Sequence, residues 1–90
     1  MRKYIIERDI PGSGNLTAEQ LKEISQKSNG VLDGLGTQIQ WLHSYVTKDK
    51  IFCVYLSKNE KLINEHAKSC DIPANRILEV KTIIDPTTAG

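Results

Sequence analysis

Two histidines, two cysteines and a pair of closely spaced acids are the residues of this chain best able to bind something reactive. His43 lies between Trp41 and Tyr45 in the run QIQWLHSYVT, and imidazole is a favoured ligand of nickel, copper and zinc. His66 precedes Cys70 by four residues, the spacing that sets an imidazole and a thiolate side by side on a helix, where they could share a metal. Cys53 offers a further thiolate, and Glu7 and Asp9 alternate onto one face of a strand with two carboxylates. Each has a structural alternative. His43 could be packed in a subunit interface, His66 held by a backbone carbonyl, and Cys53 a small buried hydrophobe, with the acids simply solvated. No HExxH or CxxC spacing decides between these readings, and two cysteines are too few for a disulfide framework, so free thiols in a reducing cytosol are expected.

Signs of catalysis are thinner. No Ser-His-Asp order with a glycine elbow occurs, and Gly12-Ser13-Gly14 has neither the spacing of a phosphate loop nor a following Lys-Ser/Thr pair, so it reads as a turn. A pocket between sheet and helices, with His43, Tyr45 and Arg8 as acid, base or anion-holding groups near Cys53, is the alternative to a metal site.

The elements that must position these groups follow from periodicity. Residues 2–10 (RKYIIERDI) read as a strand broken by Pro11-Gly12. Thr17 and Gln20 form a capping box, and Leu21, Ile24, Ser28, Val31 and Leu35 recur at helical spacing, so the helix runs past Gly30 to a C-terminal glycine at Gly34 or Gly36. Residues 38–47 and 50–56 form a hairpin turning at Lys48-Asp49. Ser57, matched by Glu60, caps a second helix with the stripe Leu62, Ile63, His66, Ala67 and Cys70; Pro73 ends it, and residues 76–84 (RILEVKTII) make a last strand. The order βαββαβ, with right-handed crossovers, gives a single α+β domain over residues 1–90. It is the ferredoxin-like sandwich: a four-stranded antiparallel sheet with both helices on one face.

Pairing Thr47 with Lys50 sets His43 opposite Val54 and Ser44 opposite Cys53. One face then carries Trp41, His43, Tyr45, Phe52, Val54 and Leu56, and the other Leu42, Ser44, Val46, Ile51, Cys53 and Tyr55. Both are largely apolar. Two helices cover one of them, and a second copy of the chain is the expected cover of the other. Ninety residues bury only about 60% of the unfolded surface, so a homodimer is expected on size as well.

Twelve basic and eleven acidic residues leave a net charge of +1, with the lysines dispersed among acids, which excludes an electrostatic nucleic-acid binder. No long apolar run marks a membrane span, and Met1-Arg2-Lys3 leads into a strand, so a cytoplasmic protein is expected.

The segments YIIERDIPG (4–12), QWLHSYVTKDKIFCVYL (40–56), NEHA (64–67) and DPTTA (85–89) resemble, almost end to end, a short bacterial domain-of-unknown-function family. Its members are named as nickel-binding or nickel-responsive-regulator-like proteins. The resemblance implies a ferredoxin-like dimer and, for at least some members, nickel binding. His43-Ser44-Tyr45, Cys53 and Glu65-His66-Ala67 match the family's runs. Ranked by chemical preference, the candidate ligands are His43 and His66, then Cys53, Glu7 and Asp9. Neither helix is a basic recognition helix, so regulation by direct DNA contact is not expected. In the alternative reading the chain resembles in shape the dimeric ferredoxin-like monooxygenases and muconolactone-isomerase-like proteins.

Overall fold

The computed structural model describes residues 1–90. Four strands, β1 (Arg2–Asp9), β2 (Ile39–Val46), β3 (Lys50–Ser57) and β4 (Arg76–Glu79), form one antiparallel sheet in the order β2-β3-β1-β4. Helices α1 (Ala18–Leu35) and α2 (Glu60–Cys70) complete the βαββαβ ferredoxin-like fold. No helix is long and apolar enough to cross a membrane.

Local sequence explains most boundaries. Thr17 and Gln20 form the reciprocal capping box, and α1 runs through Gly30 to Gly36, whose φ of 87° suits a residue without a Cβ. The α2 cap is corrected: Asn59 accepts from the backbone N–H of Leu62, whereas Ser57 is the buried last residue of β3 and donates to the Asn59 carbonyl. The fourth strand is also shorter than its alternation suggests. Tyr4 pairs with Glu79, so β1 runs out opposite the residues after Val80, and Ile83 and Ile84 are exposed.

The hairpin register agrees with expectation at His43↔Val54 and Ser44↔Cys53, but a bulge between Trp41 and His43 reverses the faces of the residues before it, Ile39 to Trp41. The extra residue is Leu42, and it turns Trp41 into register with Tyr55 on the helix side. The core on that side joins Tyr4, Ile6, Ile39, Ile51, Cys53, Tyr55 and Ile63. The other face carries Ile5, Glu7, Phe52, Val54, Leu56, His43 and Tyr45 and lies away from both helices.

Ser13–Asn15 forms a short 3-10 turn, entered through Gly12 and docked on the β2–β3 hairpin. Buried Ser13 donates to the Thr47 carbonyl, and the Gly14 N–H to that of Lys48 at 2.9 Å. A Cβ on Gly14 would meet the Lys48 Cα at 2.9 Å, backbone that cannot rotate away. Gly14→Ala should therefore lower stability by about 1–3 kcal/mol in urea unfolding, the usual cost of overpacking; an unmoved midpoint would show that the turn can shift at no cost.

Candidate functional site

β1 alternates Tyr4, Ile6 and Arg8 onto the helix side, which carries a guanidinium into the core. Arg8 is 1% exposed. Its Nε donates to Cys53 Sγ at 3.3 Å and its Nη1 to the Pro73 carbonyl at 2.7 Å, while Nη2 has no partner. No carboxylate pairs with it: the ion pairs of the chain belong to Arg2, Lys50 and Lys81. A guanidinium stays charged at any accessible pH, and an uncompensated buried charge costs several kcal/mol.

His66 is fully buried. Its Nε2 lies 3.0 Å from Ser28 Oγ on α1 and 3.4 Å from Cys70 Sγ, and its ring is tilted 5.2 Å from that of Tyr55. The expected backbone carbonyl is replaced by two side-chain partners on Nε2, leaving Nδ1 unpartnered. Burial, with Arg8 adding to it, lowers the His66 pKa to about 4, so the ring is neutral at physiological pH. Burial likewise pushes Cys70 up and Tyr55 to about 12, keeping thiol and phenol protonated.

Between the sheet and the helices lies a cavity of about 390 Å³. Ile10, Leu16, Leu21, Ile24, Trp41 and Val46 supply much of its apolar lining, and Arg8, Ser28 and Tyr55 its polar points. Cys53 lines this cavity, but His43 and Tyr45 do not. They lie in register with Val54 and Phe52 on the other face of the sheet, which corrects the expected cleft near His43, Tyr45 and Cys53.

The five candidate metal ligands thus divide. Cys53 and His66 are buried on the helix side; Glu7, Asp9 and His43 are on the open face. There His43 packs edge-on to Tyr45 at 5.1 Å, while Lys50 Nζ holds Glu7 at 2.9 Å and Asp9 at 3.0 Å. Those two hydrogen bonds raise the Lys50 pKa, that to Glu7 contributing most. With β3 between them and two residues of offset along it, His43 and Glu7 are about 12 Å apart at the backbone. Nowhere in one chain do three His, Cys, Asp or Glu side chains gather as a metal site, so these donors fit nickel only if a second copy completes the set.

Sequence reasoning named Arg8 but missed Ser28 and Tyr55 as its companions in the cavity. The signals were present: Arg8 is in phase with Tyr4 and Ile6, Tyr55 with Ile51 and Cys53, and Ser28 interrupts the apolar stripe of α1.

Comparison with known proteins gives a likeness in fold and a family for the sequence. The crystal structure of SCO4226 from Streptomyces coelicolor A3(2) superposes with a TM-score of 0.76 over 91% of this chain and 99% of that one. The identity is 14%, so this likeness speaks for the fold alone. No curated protein sequence matches the chain. Residues 4–80, however, match the family described as nickel responsive protein, SCO4226-like, and the chain belongs to that family.

Proposed function

We propose that the chain acts as a homodimer, joined through its open sheet face, that binds nickel or a similar divalent ion, with His43 as the leading ligand and Glu7 and Asp9 supplying carboxylates. The observation that carries this reading is the division of the donors. His43, Glu7 and Asp9 are those that stand on the uncovered apolar face, where a second copy can bring donors of two chains together. Membership of a nickel-responsive family supports nickel as the metal, and imidazole with carboxylate is a donor set that nickel accepts. Lys50 neutralises the carboxylates when no cation does, so metal uptake displaces an ammonium. Cys53 and His66 are the reserve ligands, reached only if the core opens.

Titration calorimetry of the tag-free protein with Ni²⁺, Zn²⁺ and Cu²⁺ at neutral pH, beside light scattering, tests this. Nickel should saturate at a fixed ratio to the dimer, and His43→Ala should weaken it at least about tenfold. Unsaturable binding of every ion, or full affinity in His43→Ala, would overturn the assignment.

A further inference from the structure

We propose that the cavity between the sheet and the helices binds a small amphipathic monocarboxylate, its head group on Arg8 Nη2 and the Tyr55 hydroxyl and its apolar body against Leu16, Leu21, Ile24 and Trp41.

The argument begins with charge. Arg8 lines the cavity at 1% exposure, two of its nitrogens are engaged by the Cys53 sulfur and the Pro73 carbonyl, and the third has no partner. The lining includes one acid, Asp9 at the end of β1, whose half-exposed carboxylate is taken by Lys50 on the open face. A water could satisfy the free N–H groups but not the charge. An anion does both, and an anion held by a guanidinium makes one of the stronger hydrogen bonds available to a protein.

The rest of the lining narrows the class. Tyr55, beside Arg8 and Ser28, is held as a neutral phenol by burial and so can donate to a second oxygen of the same head group. Arg8 is the only cation in the lining, which suits a single negative charge; a phosphate with nearly two would remain partly uncompensated. Beyond the polar end the walls are predominantly apolar, and a cavity of about 390 Å³ falls within the range of small-molecule sites. A carboxylate on an apolar tail matches both ends.

Trp41 is the only tryptophan and lines the cavity, so its emission reports occupancy directly. The tag-free protein should be titrated with decanoate and with decanol, which share a tail and differ in charge. Decanoate should shift Trp41 emission saturably, with decanol at least tenfold weaker. Arg8→Met should abolish that preference, and Ile24→Phe, which fills the space from a position 41% exposed, should weaken decanoate at least tenfold. Equal affinity for acid and alcohol, no response of Trp41 to either, or unchanged decanoate affinity in Ile24→Phe would each overturn the proposal. The acid-against-alcohol comparison on the unaltered protein decides even if Arg8→Met does not fold.

Discussion

Between pH 6.5 and 4 the protein will lose up to about 3 kcal/mol of folding stability through His66 alone. The folded ring takes a proton only near pH 4, because it is buried and lies near Arg8; once unfolded it does so near the ordinary histidine value. Above that value neither state binds the proton and the contribution is complete. As pH falls through the window the unfolded chain takes up a proton that the folded chain refuses, and acid favours unfolding. Glu79 and Asp85, whose pKa values are lowered by Lys81 and by Thr87 respectively, add their own losses below their ordinary ranges. The His66 share is therefore read as a difference. Urea unfolding at several pH values should give a steep slope for the parent protein and a shallow one for His66→Gln. Parallel slopes would mean that the ring is not held neutral by the fold.

Val54→Asp will convert the proposed dimer to monomers, raising its dissociation constant at least about a hundredfold. Val54 is 7% exposed on the face away from both helices, ringed by Ile5, Phe52 and Leu56 from its own and the neighbouring strand. A carboxylate there would lose its water in the interface with no cation set to receive it, the circumstance in which one substitution removes most of an interface's affinity. Light scattering across a dilution series reads the change, with far-UV circular dichroism confirming that the variant stays folded. Saturable nickel binding should fall with it if the site is shared between subunits. An equally dimeric variant would place the contact elsewhere.

Much of the fold was legible because its signals were local. The Thr17–Gln20 box, the alternation of β1 and the Thr47–Lys50 closure each fix an element from a few neighbouring residues. The exceptions have equally definite causes. The Leu42 bulge inverts Trp41 although nothing in QIQWLHSYV breaks the alternation; the demand for an aromatic ring beneath the helices is tertiary. Ser57 and Asn59 both precede Glu60, and side-chain type alone does not separate them; the buried end of β3 does. Residues 76–84 alternate well, but a strand extends only as far as its partner, and β1 begins at Arg2.

The candidate site was less legible, since the sequence names donors but not which side of the sheet each occupies relative to the helices. His43 and Cys53 sit on adjacent strands, yet opposite faces separate them. His66 looked like a ligand because of its neighbour at i+4; the contact with Cys70 is present, but Ser28 from the other helix takes the same nitrogen.

The way α1 is held has a kinetic consequence. Of its eighteen residues only Ser28 is buried, and the others facing inward, among them Leu21, Val31, Leu32 and Leu35, keep part of their surface in water. Such an element opens at a free energy well below that of global unfolding, while the inner strands β1 and β3 stay closed. Leu21, Ile24 and Ser28 of this helix wall the cavity, so its shape changes whenever the helix opens. An occupant that bridges α1 to the sheet would then hold the helix down, and amide exchange along α1 would slow as the cavity fills.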